Sequence, residues 1–378
     1  MDALAVYIHW PYCARICPYC DFNVYKRRDD DVLLPAILKD LASWRDRSGP
    51  RTVTSIHFGG GTPSLMSPSQ VGAIIEQVDT LWGVCKGVEI ALEANPHEMN
   101  ELDWRGYRTA GLNRMSLGVQ SFNDWALKLL GRDHDGQTAR RALELALEIF
   151  PSVSADLIFG WAGQSAAMLN DDLSILLDSG VPHLSTYQLT IEDGTAFAKA
   201  EGRGQARAIN SDLSADFYDE VRSQLITKGF EHYEVSNFAK PDHQSQHNLA
   251  YWRGTDYVGV GPGAHGRITV DGVRHATIAH MTPKAYTRAA GNSGTGINTR
   301  EKLSPSEWAS EYLLMGLRIQ EGISLNAYAA LSGEALDETQ LNYLIQDGLL
   351  SVDGDNLSAT SDGRLVLNSV TEALLLAQ

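Results

Sequence analysis

The sequence predicts an α/β protein built on a parallel sheet, and three observations predict it. Strand-length apolar runs recur six times in the first half of the chain, amphipathic stretches of helical period lie between them, and glycine-rich or polar residues close nearly every run. Such alternation calls for parallel pairing, because right-handed crossovers need a helix between neighbouring strands. Both a barrel and an open doubly wound sheet fit the pattern.

Taken in order, Leu4 to His9 is the first strand, followed by the polar segment Trp10 to Asp21 and a helix over Asp31 to Arg45. Val53 to Phe58 runs into Gly59 to Ser64 and a helix over Ser67 to Leu81. Val88 to Ala94 closes on Glu93 to Pro96, and Arg114 to Val119 closes on Gln120 and Ser121 before a helix over Thr138 to Phe150. Val153 to Phe159 leads through Gly160 to Gln164 into a helix over Ala166 to Leu177, and Leu184 to Leu189 is the sixth strand. These loops share the face at the carboxyl ends of the strands, where α/β folds collect their sites.

Beyond them come a helix from about Ala206 to Lys228, the segment Phe230 to Trp252, the glycine-rich Gly259 to Gly266, and a hairpin over Arg267 to His275 around Asp271-Gly272. From Leu303 the chain is mainly helical, with a small hairpin made by Leu349 to Val352, Asp353-Gly354 and Leu357 to Thr360, as in a winged helix. The expected organisation is a core over residues 1–200, an extension over 201–300 and a smaller C-terminal domain over 301–378.

Of the 378 residues, 43% are hydrophobic and 21% charged, as in a soluble globular protein. With 31 basic and 47 acidic residues the net charge is -16, which argues against a nonspecific hold on nucleic-acid phosphates. From Glu301 to Gln378 there are three basic and twelve acidic residues, so the wing is expected to pack or to dock a partner, a membrane-associated protein among the options, rather than read DNA. The start lacks a basic n-region and an apolar h-region, and no run of eighteen apolar residues follows; a cytoplasmic protein without a transmembrane segment is expected.

Of four cysteines, three fall in Cys13-Ala14-Arg15-Ile16-Cys17-Pro18-Tyr19-Cys20, directly after the first strand, while Cys85 reads as a lone structural thiol. Spacings of three and two bring thiolates to one small inorganic core, and iron–sulfur clusters are normally held by cysteine thiolates. Three ligands with no fourth nearby leave one iron of a cubane open to a further ligand. The competing readings are a zinc knuckle that recruits His9 as fourth ligand and three buried thiols brought together by chance.

C-x3-C-x2-C with an aromatic residue before the third cysteine resembles the signature of the radical S-adenosylmethionine superfamily. The likeness extends through Tyr7-Ile8-His9-Trp10-Pro11-Tyr12-Cys13, Gly59-Gly60-Gly61-Thr62-Pro63-Ser64, Glu93-Ala94-Asn95-Pro96, Ser116 to Phe122, Leu130-Gly131-Arg132 and Asp156 to Gly160, as in the oxygen-independent coproporphyrinogen oxidase branch. The resemblance implies a partial (β/α)6 TIM-like barrel carrying a 4Fe-4S cluster on Cys13, Cys17 and Cys20, with S-adenosylmethionine at the open iron and a reductant for the cluster as partner. Gly60, Gly61 and Thr62 would meet the methionyl amino group, with Glu93 and Gln120 as polar partners. Arg132 would face the carboxylate, Asp156 the ribose hydroxyls, and Tyr7 and Tyr19 would border the adenine and the cluster. Taken singly, each would as readily be a turn glycine, a surface charge or a core tyrosine.

Within that branch two functions from different classes remain. The dehydrogenases carry another cysteine two positions after the third ligand and a long N-terminal extension; here Asp21-Phe22 follows Cys20, and twelve residues precede Cys13. Cys20-Asp21-Phe22, Tyr233 to Ala239, the HNxxYW motif of His247-Asn248-Leu249-Ala250-Tyr251-Trp252 and Gly261-Pro262-Gly263-Ala264-His265 resemble instead the branch of haem chaperones. That likeness implies a haem carrier that delivers to an acceptor protein, with His247 as axial ligand and Tyr251 and Trp252 against the porphyrin. The bland reading is a helix cap at His247-Asn248 with two core aromatics. The alternative function is a radical enzyme acting on a porphyrinogen or another organic substrate. Departures from the pattern are Trp161-Ala162, where relatives usually have Leu-Pro, and His57 before the glycines.

Overall fold

The computed structural model describes residues 2–26 and 30–376. Six strands, β1 (Ala3–Trp10), β2 (Thr52–Gly60), β3 (Val84–Ala94), β4 (Arg114–Gln120), β5 (Ser152–Phe159) and β6 (His183–Gln188), lie side by side in chain order, all parallel. Sequential order settles the choice the periodicity left open. Right-handed crossovers that always step the same way put every helix on one side of the sheet, as a barrel requires, whereas a doubly wound sheet reverses direction midway.

The strands show why. In β2, Val53, Ile56 and Phe58 are buried under the helices, while Ser55 and His57 point to the opposite face. The inward rows of β3 to β6 include Glu89 and Glu93, Arg114 and Ser116, Ser154 and Asp156, and His183 and Ser185, a polar lining that must find partners or ligands inside. Outside, Leu92, Met115, Leu117, Val153 and Leu157 join Ile74, Trp104, Leu143 and Leu173 of the covering helices in one continuous core. The barrel is open: β1 and β6 each pair elsewhere rather than with each other.

On one flank β7 (Glu231–Glu234) and β8 (Asn237–Ala239) add an antiparallel hairpin to β6; on the other, β9 (Tyr257–Val260) runs parallel to β1 and is followed by β10 (His265–Val270), β11 (Val273–Ala279) and β12 (Ile297–Lys302). The sheet thus has twelve strands and runs unbroken through residues 3–302. The expected turn at Asp271-Gly272 carries φ of 52° and 75°, the left-handed pair that a two-residue hairpin needs.

A second core, from Ala309 to Leu374, holds the C-terminal domain, where β13 (Ile323–Ser324), β14 (Leu350–Asp353) and β15 (Asn356–Ala359) form the small sheet of a winged helix. Its hairpin turns on Gly354-Asp355, one residue later than Asp353-Gly354, because Asp353 pairs with Asn356. The helix expected from Ala206 begins at Ser211, capped by Asn210. Helices Glu101–Ala110 and Asp124–Leu129 escaped the periodicity because each buries only two side chains; the cap asparagines Asn100 and Asn123 are their sequence signal. No helix among the described residues is long and apolar enough to cross a membrane.

Candidate functional site

The cysteine segment leaves β1 as a loop pinned at its base. Tyr25 N–H donates to Pro11 O (2.7 Å) and Cys13 N–H to Tyr25 O (3.0 Å), while the Asn23 amide donates to Pro262 O and Met281 O (2.9 and 2.8 Å). The glycine-rich loop after β2 lies directly under it: Gly61 N–H donates to Trp10 O (2.7 Å) and Thr62 N–H to Tyr12 O (2.8 Å). Two glycines are obligatory here. Gly60 has φ +106° and a Cβ on it would lie 2.6 Å from the His9 ring; one on Gly61 would lie 2.7 Å from the Tyr12 carbonyl oxygen.

A cavity of about 380 Å³ opens above, at the carboxyl ends of the strands. Cys13, Cys17, Cys20 and Tyr19 line it from the loop, and Gly60, Gly61 and Thr62 from the end of β2. Glu93, Gln120, Arg132 and Asp156 close the remaining wall. Burial pushes the Cys13 thiol up to about 11 and raises Cys20, so these two sulfurs keep their protons when bare; iron would displace them. Among the described residues no three His, Cys, Asp or Glu side chains converge on one ion-sized point, whereas a cubane takes each thiolate on a different iron. His9 offers a zinc knuckle nothing, since its ring nitrogens already meet Tyr7 Oη (3.1 Å) and Asn23 O (3.0 Å).

The cavity keeps polar groups in reserve. Gln120 sits at φ +67°, a strained conformation for a residue with a side chain, and its buried Oε1 has no partner among the described residues. The strain is held by Ser121 Oγ and Phe122 N–H, which both donate to the buried Asp172 carboxylate (2.6 and 2.8 Å). Arg132 reaches Cys17 Sγ (3.2 Å), Gly118 O (3.3 Å) and the Asn95 amide oxygen. Glu93 accepts from His57 Nε2 (2.9 Å). Burial, with Glu93 nearby, pushes the Asp156 carboxyl up to about 7 despite hydrogen bonds from Ser185 and Ser116.

Two predicted residues fall elsewhere. Tyr7 does not line this cavity; its ring stacks with His57 and His247, and its hydroxyl meets His9, in a wall between two chambers. His247 lies deep in the barrel, 1% exposed, with Nδ1 on Ser55 Oγ (2.9 Å), Nε2 on Tyr251 Oη (2.8 Å) and its ring stacked on His57 at 4.8 Å. In this conformation neither ring nitrogen is open to an iron. The cap of its helix, Gln246–Trp252, is Ser245 rather than His247-Asn248.

That helix points its amino end at Glu89, whose carboxylate accepts from Ser245 Oγ (3.3 Å), Gln246 N–H (3.1 Å) and His247 N–H (3.0 Å) and pairs with Arg114 (3.4 Å). Arg114 in turn donates to Ser154 Oγ (2.8 Å), Ser152 Oγ (3.2 Å) and His243 O (2.9 Å). Segment 243–252 is therefore the plug that fills the lower barrel.

On the far side of the Tyr7–His9 wall lies a second cleft of about 370 Å³, between the barrel extension and the C-terminal domain. Two of its lining residues, Tyr251 and Trp252, are those expected to meet a porphyrin, whereas sequence reasoning gave no role to its C-terminal wall, nor to Asn95, Gly118 and Tyr187 in the first cavity. Asn95 and Gly118 stood inside quoted motifs; Tyr187 had no signal beyond its place at the end of a strand. Trp161, one of the departures from the pattern, is fully buried, its ring centroid 5.3 Å from that of Trp125.

Comparison with known proteins places these features among relatives. Residues 7–176 match the model of the radical SAM superfamily, and residues 303–366 that of the HemN C-terminal domain. The chain is 35% identical to the heme chaperone HemW of Escherichia coli, over 99% of both chains. It is 37% identical to the mitochondrial radical S-adenosyl methionine domain-containing protein 1 of Bos taurus, over 98% of this chain and 87% of the relative. Among solved structures, coproporphyrinogen III oxidase (HemN) of Escherichia coli, described as a radical SAM enzyme, superposes with a TM-score of 0.83 over 99% of this chain and 90% of that one, at 22% identity. At that identity the likeness speaks for the fold.

Proposed function

The chain belongs to the radical S-adenosylmethionine superfamily, in the family that includes the heme chaperone HemW, and from that premise we propose that it is a haem chaperone with a 4Fe-4S cluster and S-adenosylmethionine. It binds haem as cargo and passes it to an acceptor protein. The observation that carries the cluster half of this reading is the meeting, around one cavity, of three cysteines with the glycine loop, Glu93, Gln120, Arg132 and Asp156. Full-length similarity to heme chaperones supports the haem half.

In this reading Cys13, Cys17 and Cys20 are the cluster ligands. Once bound at the open iron, the cofactor supplies one-electron chemistry at its sulfonium. Arg132, held between Cys17 and Asn95, is the fixed cation for the cofactor carboxylate. The free Gln120 oxygen and the Glu93 carboxylate accept from its amino group, Asp156 from its ribose, and Tyr19 shields the pocket from water. A reductant serves the cluster, and the acidic C-terminal domain is the surface offered to the acceptor.

The test is anaerobic purification with iron, sulfide and haem quantified in one sample before and after S-adenosylmethionine is added. About four irons and four sulfides per chain, with stoichiometric haem uptake and no consumption of coproporphyrinogen III, are expected. Sustained conversion of coproporphyrinogen III would overturn the carrier reading, and zinc at the sulfurs would overturn the cluster.

A further inference from the structure

We propose that the haem seats in the second cleft, with His265 as its axial ligand, and that His247 acts on the haem only by positioning Tyr251. This inference rests on the carrier reading and adds to it the place and the ligand.

Three elements supply most of the cleft's apolar wall. Helix Gln246–Trp252 contributes Tyr251 and Trp252, β9 contributes Tyr257, and helix Pro305–Gly316 of the C-terminal domain contributes Trp308, Tyr312 and Met315. Tyr251 and Tyr257 meet edge to face at 4.5 Å, so the floor is rigid and aromatic. Such walls suit a flat, apolar macrocycle better than the polar first cavity does, and a ligand pocket is normally apolar with a few fixed polar groups. Those groups are present: Arg267 and the buried Arg274 line the cleft, the first paired with Glu311, the second with Asp256, which Arg51 shares. They suit the two carboxylates of a haem.

Two imidazoles line the cleft, His9 and His265. Iron needs a free ring nitrogen on a neutral ring. Both nitrogens of His9 are occupied by Tyr7 and Asn23. His265, at the start of β10, is exposed, lines the cleft, and its ring has no hydrogen-bond partner among the described residues. Haem is a common partner of a single histidine.

The same geometry gives the HNxxYW segment a divided role. His247 faces the barrel interior, yet its Nε2 holds the hydroxyl of Tyr251, whose ring lines the cleft. Removing His247 thus loosens a wall of the haem site without removing the ligand.

The experiment titrates ferric protoporphyrin IX into the anaerobically purified full-length protein and its variants, with cluster content and circular dichroism as controls for folding. His265→Ala is expected to lose the histidine-ligated absorption and magnetic-resonance signature and at least about tenfold in affinity, as loss of a ligating group does at metal sites, with added imidazole restoring the signature. His247→Ala is expected to keep the signature and lose less affinity. An unchanged spectrum and affinity in His265→Ala, or loss of the signature in a folded His247→Ala, overturns the assignment while the carrier reading stands. A wild-type protein that takes up no haem overturns the carrier reading itself.

Discussion

The upper and lower halves of the barrel interior are made by the same strands, yet they treat their polar residues in opposite ways. On β3, Glu89 below takes three hydrogen bonds from the 245–247 helix start and an ion pair from Arg114, while Glu93, four residues above, faces a cavity. On β5, Ser154 is consumed by Arg114, whereas Asp156 is left in a site that raises its pKa to about 7. A buried polar group costs stability unless it is paired; the lower layer closes its groups on one another, while the upper layer, beside contacts such as His57–Glu93, turns them toward the cavity and leaves Gln120 Oε1 without a partner among the described residues. Two to four residues along a strand separate the two layers.

Four substitutions would break or sharpen this contrast. The largest effect is expected from Cys17→Ser, which should abolish the iron and sulfide content and the brown chromophore while the far-ultraviolet circular dichroism stays native; a full cluster in that variant removes Cys17 from the ligand set. Glu89→Ala leaves Arg114 buried without its partner and should cost about 3–5 kcal/mol in chemical denaturation. A cost below 1 kcal/mol would show the lower layer to be no more than filler.

Asp156→Asn tests the upper layer through pH. In the folded cluster-free protein the carboxyl stands near 7, against about 3.8 in an unfolded chain. Its stabilising contribution is complete below the unfolded value and is lost as pH rises through 7, so the wild type should weaken relative to the variant by up to about 4 kcal/mol between pH 4 and 8. Parallel stability curves would place the carboxyl in water. The smallest effect is expected from Arg132→Ala, which should weaken S-adenosylmethionine by about 1.5–3 kcal/mol in a binding titration on cluster-loaded protein. No change there would take the guanidinium out of contact with the cofactor.

The upper layer was largely legible in the sequence, because Glu93, Gln120 and Asp156 stand toward the carboxyl ends of β3, β4 and β5 and the cysteine and glycine loops leave β1 and β2; Arg132, beyond helix Asp124–Leu129, came from the resemblance alone. The barrel was harder. Its signal was present in Ser55 and His57 alternating with Ile56 and Phe58, since a sheet with helices on both faces would have no polar row. His247 marks the limit: the motif identified the segment, but which nitrogen meets which partner depends on Ser55, 192 residues away, and on Glu89 beneath it. The aromatic cleft was legible only in Tyr251 and Trp252; its other walls come from an added strand and the C-terminal domain, far away in sequence. Local pattern encodes elements and loop chemistry; it does not encode which distant element fills a hole.

The unbroken twelve-stranded sheet also bears on how the molecule is made. β1 emerges first, yet one of its two neighbours is β9, and the Glu89–Arg114 pair acquires its remaining partners only from residues 243–247. A nascent chain that has released all six barrel strands still exposes an unzipped edge and an unfilled, charged lumen. High contact order of this kind slows folding and prolongs exposure to aggregation, so synthesis stalled near the middle of the chain leaves no half-sized working protein.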